Sequence, residues 1–400
     1  MPTITPAELE RALELRDLSD PGRGPHAMQL VVDAITDALE RAWGCPVRTH
    51  RGDPVVSVED NYGVLGYPPD APAREARYSR YLDAERMLRA HTTAMVPAAL
   101  RALAHTPDQV VACPGLVYRR DVVDRLHVGE PHQLDLWRAR RDIPLTEADL
   151  DEMVALVVEA VLPGAGWRTL TTTHPYTTSG REIEVLVGGE WVELLECGLA
   201  GTHVLAAGGL NGGRWSGLAL GLGLDRAVML RKGIGDIRLL RSDDPRVAGQ
   251  MRTLEPYREV SSMPPTVRDL SIAVADGVDS EELGDRVRRA LDPAELEAVE
   301  EVRVVRETPG AELPPQAIER IGLQAGQKNV LLRLVLRHPT RTLTAEEANA
   351  VRNRVYGAVH EGVAHQWAGG DTVRESRGGP VDSRAAAAYG RSCRAAQVSS

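Results

Sequence analysis

At 400 residues the chain is long for one domain and suits two or three. Its 43% apolar and 26% charged residues are ordinary for a globular protein. No run approaches the ~20 apolar residues of a membrane span, and four scattered cysteines (Cys45, Cys113, Cys197, Cys393) exclude a disulfide framework or zinc ribbon. The net charge of −10 argues against a general polyanion binder, although a basic stripe can sit on an acidic protein. The acidic N-terminus lacks a basic-then-apolar leader, so the expected location is cytoplasmic, with no membrane partner.

Pro25–Trp43 is the first predicted helix, with Met28, Val31, Val32, Ile35, Leu39 and Trp43 near 3, 4 and 7 spacing. Asn61–Pro72 and Thr171–Gly180 read as long loops. Val117–Asp121 (VYRRD) reads as a short strand. Thr146–Val161 is a helix, with Thr146 and Asp149 as a variant capping box. Arg181–Leu186 and Glu190–Leu195 are strands joined by Val187-Gly188-Gly189, a hairpin signal. Asp225–Arg231 is a helix after the glycine-laced run Ser216–Leu224. Glu255–Pro265, with three prolines, is a linker. Beyond it, strands are expected at Arg268–Ala275, Val299–Arg306, Asn329–Arg337 and near Val363. Helices are expected at Ser280–Leu291 and Thr344–Glu361, the second with a Thr344/Glu347 capping box. The order β-α-β-β-α-β is ferredoxin-like. Gly369–Ser400 has no apolar period and reads as disordered.

Four short segments carry candidate chemistry. In Val117–Asp121, Arg119 and Asp121 are two apart and share a strand face. The arginine can fork onto a phosphate, and the acid can accept from an exocyclic amine. In Gly221–Arg226 the glycines allow close approach, and Arg226 can meet a triphosphate. His91-Thr92-Thr93 and His132-Gln133-Leu134-Asp135 present polar groups in a turn or at strand spacing, and Gln133 with Asp135 can hold an ammonium ion. Taken singly, His91 and His132 fit hydrogen-bonded structural histidines better than catalytic ones.

In this order and spacing the segments resemble a class II aminoacyl-tRNA synthetase, specifically phenylalanyl-tRNA synthetase in its single-chain mitochondrial form. ARYSRYLDAERMLRAHTTA, LVYRRDVVDRLHVGEPHQLD, GEWVELLECG and SGLALGLGLDRAVMLRKGIGDIRLL carry the resemblance, which runs from about Pro25 to Trp367. PPTVRDLSIAV and HPTRTLTAEEANAVRNRV look like that family's ferredoxin-fold anticodon-binding domain. The resemblance implies an α/β (α+β) fold: an antiparallel-sheet catalytic domain flanked by helices over 1–250, a linker over 251–266, the ferredoxin-like domain over 267–368 and a tail over 369–400. It implies ligation of phenylalanine to its tRNA with ATP and Mg²⁺, by a monomer without a β subunit. Pro25 matches the motif 1 proline. Arg119 matches the arginine on the α-phosphate, Asp121 the reader of adenine, His127 a phosphate contact and Arg226 the arginine on the γ-phosphate. His91, Thr93, Gln133 and Asp135 match the group around the amino acid's ammonium and carboxylate. Glu193 borders the site, and Ala219 matches the floor of the phenyl pocket. No metal ligand is assigned.

Departures cluster where the family carries phenylalanine. Its Phe-Pro-Phe stretch is His174-Pro175-Tyr176, its adenine-stacking phenylalanine is Pro131, and its motif 3 phenylalanine is Leu220. The chain contains no phenylalanine at all. At roughly 3% usage about a dozen would be expected, and zero by chance is on the order of 1 in 100,000. The expectation is therefore a specialised phenylalanine-free backup or resistance copy. The alternatives are an activator of a ring-modified analogue, and an inactive paralogue that binds tRNA or amino acid.

Overall fold

The computed structural model describes residues 3–76, 78–102, 106–120, 122, 124–210, 213–260 and 264–365. The expected tail lies outside them. The strands are β1 (Val47–Thr49), β2 (Val55–Ser57), β3 (Arg86–Leu88), β4 (Asp108–Leu116), β5 (His132–Arg141), β6 (Trp167–Thr171), β7 (Thr177–Val187), β8 (Glu190–Ala200), β9 (Trp215–Gly223), β10 (Thr266–Ala275), β11 (Val299–Pro309) and β12 (Gln327–Leu336). Seven form one mixed sheet in the order β1-β4-β5-β9-β8-β7-β6, parallel only between β1 and β4. This is the helix-flanked, largely antiparallel sheet that the resemblance implies.

One face of that sheet is covered by helices Ala27–Trp43, Glu147–Val161 and Leu224–Lys232. The first two are helical because their apolar residues recur on one stripe. Met28, Val31, Val32, Ile35 and Leu39 are buried on one, and Leu150, Met153, Val154, Val157, Val158 and Val161 on the other. Each such side chain contributes about 1.5–3 kcal/mol when fully buried. The Thr146/Asp149 capping box is present. Gly44 ends the first helix with φ 64°, a left-handed conformation that glycine adopts without steric cost.

The first helix starts at Ala27 rather than Pro25, because His26 is its cap. His26 Nδ1 accepts from the Met28 N–H at 3.1 Å, and Nε2 faces the Leu240 carbonyl at 3.0 Å. Both bonds require the neutral Nε2–H ring. Burial, the largest influence, pushes its pKa down to about 4. The unfolded ring titrates near 6.5. Between those values the unfolded chain binds the extra proton, so stability falls as the pH drops from about 6.5 through about 4. We expect the urea midpoint to fall over that interval, and to fall less steeply in His26→Asn, which keeps a cap.

The β7–β8 strands are longer than expected, so Thr177–Gly180 belongs to β7 rather than to a loop. Their turn places Gly188 and Gly189 at φ 61° and 90°. Val117–Arg120 lies beyond the end of β4; its backbone bonds to Pro131, Arg89, Gly129 and Tyr78 instead of continuing the ladder. These carbonyls come from loops, which no local period announces.

The three-stranded sheet β10-β12-β11 is antiparallel. Its order is that of the first three strands of a ferredoxin-like sheet. Helices Ser280–Ala290 and Ala345–Val359 accompany it, capped by Asp279 and by the Thr344/Glu347 box. The expected last strand near Val363 is not formed among the described residues. The Glu361 N–H donates to the Ala273 carbonyl of β10, while the His360 ring and the Glu361 carboxylate accept from the Ala273 and Ala275 N–H groups.

Candidate functional site

The site lies on the sheet face opposite the long helices. Cys113, Asp135, Gly221, Glu196 and Glu182 stand in register across β4, β5, β9, β8 and β7. Directly opposed residues of antiparallel strands share a face. Gly221, in the middle, leaves open space where a Cβ would stand. The row is therefore a trough, with Asp135 on one wall and Glu196 on the other. Gly223, opposite Gln133, extends it. Alternation puts Gln133, Asp135, Trp137 and Ala219 on this face. Leu220, the next residue, points away into the helix-packed core and meets the trough only from behind.

Asp135 is almost fully buried. Its carboxylate accepts from the Thr92 hydroxyl at 2.6 Å and the Trp137 indole N–H at 3.2 Å, with Thr93 adding another hydroxyl. Burial outweighs these donors and raises its pKa. A bound cation would favour the charged form. The Gln133 amide oxygen accepts from the Thr92 N–H at 3.3 Å. A short 3₁₀ turn, Thr92–Met95, brings both threonines over β5.

Aromatic rings wall the trough. His174 stacks on Tyr176 at 5.3 Å, Tyr176 lies 6.3 Å from Trp137 and 6.2 Å from Tyr67, and Tyr67 stacks on His91 at 5.9 Å. His174 Nε2 lies 3.0 Å from Glu196, whose carboxyl is held low by that bond. The cavity between Asp135, Tyr176, Glu196 and Ala219 has room for about one water.

Arg119 Nε donates to the Ala90 carbonyl at 2.6 Å, and its charge acts on His91, Asp135, Tyr176 and Glu196 together. Burial and this guanidinium push the His91 pKa down to about 3, so the ring is neutral. His91 Nδ1 is buried without a hydrogen-bond partner. His132 is different: its ring is fully buried between the Leu18 N–H at 2.9 Å and Asp225 at 3.2 Å, as a structural histidine should be.

The remaining expected residues are held by their own contacts. Arg226 on helix Leu224–Lys232 pairs with Glu193 at 2.9 Å. His127 is held by Asp124 at 2.8 Å. The Pro131 carbonyl accepts from the Val117 N–H at 2.8 Å. Asp121 lies outside the described residues. Sequence reading passed over Tyr67, Trp137 and Glu196, and named Thr92 without giving it a role. Trp137 was legible, being two residues beyond Asp135 on the same strand face. Glu196 was hidden by the irregular register between Ile183 and Glu184.

Among the described residues no group of three or more His, Cys, Asp or Glu is placed to hold a metal. Mg²⁺ does not need one, since it takes one or two carboxylates with phosphate oxygens and water. Glu182 fits that demand. Burial raises its pKa, and Glu193, Glu196 and Glu184 add to the rise.

Residues 18–251 match the family of tRNA synthetases class II core domain (F). The chain belongs to this family. A phenylalanine–tRNA ligase alpha subunit from Prochlorococcus marinus (strain MIT 9313) is 34% identical over 226 residues, covering 56% of this chain and 65% of that protein. One from Lactobacillus delbrueckii subsp. bulgaricus is 32% identical over 272 residues, covering 62% and 76%. The chain thus spans just under two thirds of the first relative's length. A pyrrolysyl-tRNA synthetase structure from Desulfitobacterium hafniense superposes with a TM-score of 0.41 at 17% identity, covering 58% of this chain and 77% of that one. Both ligase relatives are named alpha subunits, which does not fit the expected monomer. No described helix is long and apolar enough to cross a membrane.

Proposed function

We propose that this chain joins an aromatic amino acid, phenylalanine in the first instance, to ATP and then passes it to tRNA. The observation that carries the reading is the trough itself. A buried carboxylate with a raised pKa, Asp135, faces an open glycine gap within the field of Arg119. Asp135 and Gln133 would take the substrate ammonium, and the unpartnered His91 Nδ1 its carboxylate. A carboxylate oxygen then attacks the α-phosphorus, and the bond to pyrophosphate breaks in line. This needs positioning and charge neutralisation, not proton transfer. Arg119 would meet the α-phosphate, and Arg226, released from Glu193, the γ-phosphate. Mg²⁺ beside Glu182 and Glu193 would neutralise further phosphate charge. Burial keeps His91 neutral, so it neither repels the ammonium nor competes with Arg119.

The C-terminal unit from Thr266 lies beyond the matched residues, and we assign it the anticodon arm of the tRNA. Pyrophosphate exchange by the purified chain tests the central reading, with phenylalanine, tyrosine isomers and no amino acid compared. Phenylalanine-dependent exchange is the expected result. Exchange only with a substituted ring would make the chain an activator of an analogue. Silence with ATP still bound would make it a binding protein.

The absence of phenylalanine favours a second statement about the same enzyme. A chain without that residue escapes the ribosomal stall, or the corruption, that follows when charged tRNA(Phe) is scarce or mischarged. We expect its synthesis to persist during phenylalanine starvation. A decline as steep as that of phenylalanine-containing proteins would refute the backup role.

A further inference from the structure

A larger cavity, about 440 Å³, lies away from the trough. Helix Pro6–Glu14 forms one wall, Arg80, Arg120 and Glu130 a second, and Asp285–Leu296 the third. Only the second wall falls within the residues of the family match. The volume is typical of a small-molecule site, roughly 300–1,000 Å³.

Its chemistry is two-sided. Ile4, Ala12, Leu15, Leu291 and Leu296 give it an apolar interior, while six arginines and four acids ring it. Three of the acids are already engaged. Asp285, almost fully buried, faces Arg120 at 3.3 Å, Arg80 at 3.9 Å and Arg289. Glu130 pairs with Arg80 at 2.5 Å, and Glu8 with Arg289 at 3.2 Å. Positive charge is left over. Arg11 and Arg16 donate only to the backbone carbonyls of Ala7 and Pro25, with no acidic partner among the described residues. Arg120 Nε is buried and makes no hydrogen bond.

We infer that this cavity binds an amphipathic organic anion, a carboxylate on an apolar body, with its head toward Arg11, Arg16 and Arg120 and its body against Leu15, Leu291 and Leu296. A neutral apolar ligand would leave the arginines unused. An inorganic anion would leave the interior unfilled. The chain's own tail does not complement the site, because residues 369–400 carry five arginines against three acids.

The test uses the full chain and 8-anilinonaphthalene-1-sulfonate, followed by its fluorescence. The expected result is saturable binding that decanoate reverses and decanol reverses about tenfold less well, since a charged hydrogen bond supplies a difference of that order. The exposed pair Arg11→Glu with Arg16→Glu should weaken decanoate by at least about tenfold while the thermal midpoint holds. Should that variant fail to fold, the decanoate–decanol comparison on the unaltered chain still decides. The inference is overturned by no saturable binding, or by equal competition from decanol. It is also overturned if ATP or tRNA displaces the probe, which would place the probe in the nucleotide site or make the cleft part of an RNA path.

Discussion

Arg119→Gln should lower pyrophosphate exchange by roughly 10²–10³-fold, which is the range for losing one preorganised charge-stabilising group, ~2.7–4 kcal/mol. Glutamine reaches as far as the Nε position and keeps a donor there for the Ala90 carbonyl, but removes the positive charge. The defect should appear in kcat more than in the KM for the amino acid, because the additional charge on the α-phosphoryl oxygens develops in the transition state. A second signature follows from electrostatics. After burial, the Arg119 charge lowers the His91 pKa, and removing it should let the His91 pKa rise. NMR titration of the His91 ring would read this directly. An unchanged exchange rate would show that the phosphate meets another arginine.

Trp137→Ala should destabilise the catalytic domain by about 3–5 kcal/mol, the usual cost of deleting a buried large aromatic side chain. Trp137 is 1% exposed and packs with Met95, Leu100 and Val204. It also donates to Asp135 and stands 6.3 Å from Tyr176. One substitution therefore leaves a cavity, removes a donor from a buried carboxylate and loosens the aromatic wall. The urea midpoint should drop with little change in slope. Trp191 is the control. It is 38% exposed with Arg168 over its ring at 4.5 Å, so its alanine variant should cost less than about 1 kcal/mol. Equal costs for the two would mean that Trp137 is not part of the packed core.

Much of the fold was legible because local periods survive packing. Ala27–Trp43, Glu147–Val161 and the β7–β8 hairpin sit within a few residues of their sequence-based bounds, since each buries one stripe or face against a single core. Elements whose partners are distant in sequence were not. Val117–Arg120 reads as a strand but finds loop carbonyls. The strand expected near Val363 does not form on the edge of β10, where the His360 ring and the Glu361 carboxylate take the Ala273 and Ala275 N–H groups. His26 reads as an ordinary helix residue, but its cap bond depends on Leu240, 214 residues away.

The sequence by itself determined the family, the chain order of the motifs and most of the residues that converge on the trough, because strand alternation is local: Gln133, Asp135 and Ala219 had to share faces with their neighbours two residues away. Only the tertiary structure decided which strands lie side by side. That put glycine between Asp135 and Glu196, turned Leu220 into the core, stacked Tyr176 on His174 beside the trough, and closed a second, arginine-rimmed cavity from three segments distant in sequence. The physical reason is the same in each case. Register, burial and the field of a charge depend on what is near in space, and spacing along the chain encodes that only within one element.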